Sequence, residues 1–231
     1  MSMKQILFNT EMVRAILDGR KSCTRRIVKP QQLVGLLPDK CKNGVPEEFL
    51  KEKKLMFKPY CNMTDIELIN TAYKAPYQRG DILYVRETWC KGLERYIYRA
   101  DYSDTEKFYR DGKEIEMKWH PSLHMPKDAA RIFLRVTNVR VERLQEMKPV
   151  DVIKEGAYPD CWDCLNTYGE SGSQCCYGTE EQCSQCDEVM MEWEKLWNST
   201  IKKTDLDSYG WEANQWVWVI EFERCEKPEG V

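Results

Sequence analysis

The chain lacks any apolar run approaching the roughly 18 residues that a membrane-spanning helix needs. Its opening residues, Met1–Thr10, have neither the long apolar stretch nor the small-residue cleavage site of a secretory leader. No segment repeats. Charge of one sign is also missing: 35 Lys and Arg face 38 Asp and Glu, for a net charge of −3. A broad basic footprint on nucleic acid is therefore excluded, and any such contact must come from a local patch. Together these absences predict a soluble, cytoplasmic protein with no membrane association.

What is present suits one globular unit. A chain of 231 residues with 42% hydrophobic content, eight Trp and twelve Tyr can bury a core. It holds eleven cysteines, and a cytoplasmic setting argues against reading them as a disulfide framework. Cys23, Cys41, Cys61, Cys90 and Cys225 are scattered thiols. The remaining six crowd between Cys161 and Cys186. Within that crowd, Cys161-Trp162-Asp163-Cys164 and Cys183-Ser184-Gln185-Cys186 are C-x₂-C pairs separated by 18 residues, the spacing of a zinc ribbon or knuckle. Four thiolates suit tetrahedral zinc, and such a closed site leaves no open position for catalysis. The expected role is a structural staple for a Gly-, Ser- and Gln-rich insertion over 157–187. Cys175 and Cys176 complicate the ligand choice, and an iron–sulfur cluster is the minor alternative.

The rest of the chain alternates regular and irregular stretches. Gln5–Phe8 reads as a short strand. A helix follows, capped by Thr10, with Met12, Val13, Ile16 and Leu17 on its apolar face and Gly19 ending it. Residues 31–77 show no clean period and read as a long excursion. Ile82–Trp89 is rich in β-branched and aromatic residues and reads as one strand after the Gly80-Asp81 turn. Tyr96–Ala100 is another. A longer one runs Arg131–Leu144 with a bend at Thr137-Asn138. Pro149–Glu155 is a short helix stopped by Gly156. Glu188–Asn198 is a helix with Val189, Trp193, Leu196 and Trp197 on one stripe, and Trp216–Phe222 closes the chain as a strand.

Chemistry concentrates after the first helix. Five of the ten residues from Arg20 to Lys29 are basic, and Gly19-Arg20-Lys21-Ser22-Cys23-Thr24-Arg25-Arg26 mixes them with hydroxyls. By itself this reads equally as a solvated basic turn. The spacing G-x-K-x-x-T-x-R, at Gly19, Lys21, Thr24 and Arg26, resembles the signature of the ASCH domain family of the PUA-like superfamily. The run Gly80–Trp89, the Glu155-Gly156 helix end and the terminal strand support that resemblance. Trp119–Pro126 is similar to the branch of the family encoded by phages, which would place the protein in a host cytoplasm. The resemblance leaves 31–77 and the cysteine insertion unexplained.

The resemblance implies an α+β fold: a small PUA-like β-barrel with flanking helices, here over residues 1–231 with a zinc-stapled insertion. It implies a groove used on RNA or a modified nucleoside. Some members hydrolyse N4-acetylcytidine through a Thr–Lys–Glu constellation, which carries over to Thr24, Lys21 and, with a different intervening length, Glu155. Threonine is a weak nucleophile and needs an adjacent base. A lysine amine serves only where burial or nearby positive charge brings its pKa toward neutrality. Arg25 and Arg26 could supply that charge or bind a phosphate. Glu155 or Glu87 could protonate a leaving amine, and Glu87 on the Arg86-Glu87-Thr88 strand end could instead pair with Arg26. Trp89 could stack on a base, and His124, one of two histidines, reads as a structural side chain or a site residue. The rival readings are a non-catalytic reader of modified bases or nucleic acid, and a phage accessory protein whose zinc insertion binds a protein partner.

Overall fold

A computed structural model of the chain describes residues 3–28, 69, 73–92, 95–110, 112–157 and 184–228. The expected excursion over 31–77 lies outside these apart from 69 and 73–77, and the cysteine insertion lies almost wholly outside them.

The first helix shows how local sequence places the site. Strand β1, Met3–Leu7, leads through Asn9 into α1, Thr10–Leu17. Asn9, not Thr10, is the N-cap: its side chain accepts from the Met12 amide at 2.8 Å, satisfying a helix donor that water would otherwise have to meet. Val13, Ala15 and Ile16 turn inward. At the other end Asp18 caps the helix and Gly19, at φ +78°, takes the left-handed conformation that reverses the chain. The basic segment that follows is not a loop. It runs directly into strand β2, Cys23–Ile27.

The fold is mixed α+β. Strands β3 (Ile82–Arg86), β8 (Phe133–Arg143) and β9 (Trp216–Cys225) complete a five-stranded sheet of order β1-β3-β8-β9-β2. Only the β1–β3 pair is parallel. The register of β8 on β9 shifts between Val136 and Asn138, at the bend expected there. The described ladder is open: β1 and β2 are its two edges. A side chain links them, because Arg26 Nη2 on β2 donates to the Leu7 carbonyl that ends β1, at 3.2 Å.

Alternation along the strands sorts residues onto two layers. One face packs Ile6, Phe8, Val13, Ile16, Leu83, Leu134, Trp218, Ile220 and Phe222 into the larger core. On the other, Val217 and Val219 of β9 meet helices α2 (Pro149–Lys154) and α3 (Ser184–Ser199), through Val152, Val189, Trp193 and Trp197. Burying each such side chain stabilises by about 1.5–3 kcal/mol, which is why α3, polar on its outer face, stays attached.

The strand expected over Ile82–Trp89 breaks at Glu87-Thr88. Strand β4, Trp89–Lys91, leaves the main sheet and pairs with β5, Tyr96–Tyr98. A second hairpin, β6 (Phe108–Arg110) with β7 (Lys113–Ile115), follows it. Its aromatic and charged residues carry no clean alternation.

Gly156 fixes the end of α2. At φ +73° it is left-handed, and a Cβ there would sit 2.5 Å from the Ala15 Cβ and 2.9 Å from the Lys21 Cβ. Gly19 is equally left-handed, but a Cβ there would meet nothing within 4 Å. Gly156→Ala is therefore expected to destabilise by roughly 2–5 kcal/mol, from backbone strain plus overpacking, and Gly19→Ala by roughly 1–2 kcal/mol. Denaturant unfolding of the two variants checks this; equal losses would show that the contact with α1 and Lys21 does not matter.

Candidate functional site

The backbone brings the basic segment and the end of α2 together before any side chain acts. The Lys21 amide donates to the Ala15 carbonyl at 2.9 Å, and the Ser22 amide donates to the Lys154 carbonyl at 2.8 Å. Glu155, the C-cap of α2, consequently lies against Lys21.

Lys21, Arg25 and Glu155 are buried together, with 3%, 3% and 2% of their surfaces exposed. Lys21 Nζ donates to the Cys23 carbonyl at 2.8 Å, to the Glu155 carbonyl at 2.7 Å and to Glu155 Oε2 at 2.9 Å. Three donated hydrogen bonds make it an ammonium. Its fourth neighbour is the Phe8 ring, 5.1 Å from Nζ to the centroid. The other carboxylate oxygen of Glu155 accepts from Arg25 Nη1 at 3.2 Å. Arg25 also donates to Glu142 Oε1 from Nε at 2.9 Å and Nη2 at 2.5 Å, and lies 3.6 Å from Asp151. Burial works to strip the proton from Arg25, but Glu155 and Glu142 outweigh it and hold the guanidinium charged.

This arrangement corrects one expectation. With its side chain wholly buried among three carboxylates, Arg25 has no free face for a phosphate and instead orients Glu155. Arg26 faces the opposite side of β2, opposite Trp218, with its guanidinium 5.8 Å from the Phe8 ring. Thr24 is buried on that same side, paired with Ile220. It directly follows the Cys23 carbonyl that Lys21 grips. The structure thus brings together Lys21 and Glu155, 134 positions apart in the chain, while Thr24 faces the other side of β2, opposite Ile220.

The remaining candidates gather at the end of β3, on the far side of Phe8, whose amide donates to the Arg86 carbonyl at 3.2 Å. Glu87 is fully buried. Its partner is Arg131, not Arg26: Arg131 Nε and Nη2 hold its two oxygens at 2.9 and 3.0 Å. Burial still pushes the Glu87 carboxyl up, and the Arg131 contacts offset this only in part. Arg131 also binds Asp101 and covers the Tyr98 ring at 3.9 Å. Arg86 binds Gln5 Oε1 at 2.7 Å and the Leu123 carbonyl. Trp89 packs against Tyr96 and His120, with ring centroids 5.5 and 5.1 Å apart. His124 lies in an exposed helical turn, Ser122–His124. None of Arg86, Glu87, Trp89 or His124 contacts Lys21 or Glu155 among the described interactions.

Cys161, Cys164 and Cys183, with Cys175 and Cys176, fall outside the described residues, and Cys186 is on α3, where only its backbone is described. Sequence reasoning missed Glu142, Asp151, Arg131 and Phe8 as parts of these clusters. Glu142 alone had a legible signal, a carboxylate inside an otherwise apolar and basic strand. No family model matches the chain, and neither the curated proteins nor the solved structures contain a match.

Cys23 reports on the cluster from within. Burial, followed by the Glu155 charge, pushes its thiol up to about 12, against the pull of Arg25 and Lys21. In the unfolded chain the thiol ionises near 9. Between those values the folded state keeps a proton that the unfolded state has lost, so this group's contribution to stability falls as pH rises, by at most about 1.4 kcal/mol per pH unit. Denaturant midpoints followed from about pH 8.5 to 11.5 are expected to drop more steeply for wild type than for Cys23→Ala. Parallel slopes would mean an ordinary thiol.

Proposed function

We propose that the chain is an ASCH-like protein that binds RNA or a modified nucleoside and hydrolyses an exocyclic amide of the N4-acetylcytidine kind. The observation that supports this most is the Lys21–Glu155 pair, buried and joined at 2.9 Å; Thr24 follows the Cys23 carbonyl that Lys21 grips. The partial closure of the sheet by Arg26 and the Leu7 carbonyl fits a PUA-like barrel.

The pair can supply both acid and base from one internal proton shift. Transfer of a proton from the Lys21 ammonium to the Glu155 carboxylate leaves a neutral amine and a neutral carboxylic acid. Thr24 Oγ1 then attacks the acyl carbon while its proton passes to the Lys21 amine. The carbon–nitrogen bond breaks as Glu155 protonates the leaving exocyclic nitrogen, and the ion pair is restored. A second proton shift activates water to cleave the Thr24 ester, releasing the acid. Arg25, fixed by Glu142, holds Glu155 in place throughout.

A non-catalytic reader is favoured by a different observation: all three Lys21 protons are already taken. Turnover of N4-acetylcytidine and related N-acyl nucleosides separates the two readings. Wild type is expected to release free amine, Thr24→Ala to abolish release, and Lys21→Arg to do the same because guanidinium keeps its proton. The losses are expected to be non-additive, since the groups act as a unit. If nothing is consumed and Lys21→Arg still binds nucleoside, the hydrolase reading fails and the reader stands.

The cysteine insertion is proposed to hold a structural zinc through Cys161, Cys164, Cys183 and Cys186. Four thiolates complete its coordination, and α3 begins within the second C-x₂-C pair, so the metal would anchor the start of that helix. Freshly purified protein is expected to carry about one zinc per chain, and Cys161→Ser to release it while the five-stranded sheet persists by circular dichroism. Metal-free wild-type protein would refute the assignment.

A further inference from the structure

The stretch from Trp89 to His120 stands outside the main sheet, as two hairpins that form ladders of their own. A cleft of about 690 Å³ opens along them, a size that suits a small planar ligand. Its apolar wall is aromatic. Phe108 meets Tyr102 edge-on at 5.0 Å and Trp119 at 5.9 Å, which fixes its ring. Tyr109 lines the same cleft with 62% of its surface exposed, leaving a ring face open to stack.

The cleft's polar lining is basic. Lys91 and Lys118 line it, opposed by Glu116 among the described lining residues. In a chain of net charge −3, that local excess of cations complements an anion. A ligand that is flat, aromatic and anionic answers both features, and a nucleotide is the chemistry that combines them.

We infer that the cleft between the two hairpins is a nucleotide subsite, where Tyr109 stacks on a base and Lys91 and Lys118 meet its phosphates. This rests on the proposed nucleic-acid substrate and deepens it, since a second nucleotide position makes the natural ligand a single strand. The cleft is physically tied to the Lys21 region. Arg14 of α1 donates to the carbonyls of Ala100 and of Tyr102, which lines the cleft, and Ala15 of the same helix accepts from the Lys21 amide, so α1 touches both.

The test uses the full chain, a labelled cytidine-rich RNA of about five nucleotides, and cytidine monophosphate as a separate ligand. The RNA is expected to bind, and Tyr109→Ala to weaken it by about 5- to 150-fold, the range for loss of one stacked base. Lys91→Ala with Lys118→Ala is expected to weaken binding and to lower the salt slope by one to two phosphate contacts. Competition by the mononucleotide identifies a free nucleotide as sufficient occupant; binding of RNA alone identifies a strand. Both support the subsite. No binding of either ligand, or binding indifferent to Tyr109 and the two lysines, overturns it. Turnover of N4-acetylcytidine without Tyr109-dependent binding keeps the proposed reaction and removes the cleft; the reverse result removes the reaction and keeps the cleft.

Discussion

Burial of the Lys21 ammonium is the constraint to which the rest of this structure answers. Withdrawing such a charge from water costs several kcal/mol even after relaxation, and it is tolerable only when every donor is met. Two of its acceptors are backbone carbonyls and the third is the Glu155 carboxylate. That requirement dictates where α2 must stop, because Glu155 has to cap the helix and offer both its carbonyl and its carboxylate to one nitrogen. It also dictates Gly156, since any side chain there would strike Ala15 and Lys21. Glu155 in turn carries more acceptor capacity than Lys21 uses, and Arg25 fills it. Arg25 then recruits Glu142 from β8 and Asp151 from α2. One buried cation thus propagates into a network that joins β2, β8 and α2.

Phe8 stands between this network and a second one. Its ring receives Lys21 and Arg26 on the inner side, and its amide closes on Arg86. The residue after Arg86 is Glu87, the other fully buried acid among the described residues. Strand β3 ends at Arg86, and the buried Glu87 that follows meets Arg131, two residues before β8. The chain then leaves the sheet and builds the two hairpins. The exit of the satellite module from the sheet thus coincides with the pairing of a buried charge.

Much of the framework was legible in the amino-acid order, and the reasons are local. Gln5–Phe8, Arg131–Leu144 and Trp216–Phe222 announce themselves by β-branched and aromatic runs, and Gly19 and Gly156 by the left-handed turns that end helices. The Val189, Trp193 and Trp197 stripe on α3 follows from helical period alone. What was not legible is non-local. Nothing near Arg25 in sequence says that its partners lie at 142, 151 and 155, so a buried structural cation and a phosphate ligand look identical in a linear reading. Glu87 was assigned a plausible partner of the right charge, but pairing is decided by which segment lies adjacent, and the one leading into β8 brings Arg131. The β2 strand was hidden for a related reason: its basic residues alternate between a buried ion network and a cation–π contact, leaving no hydrophobic period to detect.

The energetic character of the network bears on what it is for. Replacing a buried ion pair by well-packed apolar groups is often neutral or even stabilising, so stability alone gives little reason to keep Lys21, Arg25 and Glu155 where they are. A second purpose is needed, and the two available ones differ in what they require of the protons. Register specification requires that the charges stay fixed, and Arg25 between Glu142 and Glu155 meets that requirement, since its guanidinium does not release a proton. Proton exchange requires a pair whose two members can trade a proton over a short hydrogen bond without net change of charge. Within the cluster, Lys21 with Glu155 at 2.9 Å is the ion pair whose cation is an amine, and it is the pair on which the proposed reaction depends. The chemistry of the two cations separates them accordingly: the arginine fixes the carboxylate, and the proposed proton exchange falls to the lysine.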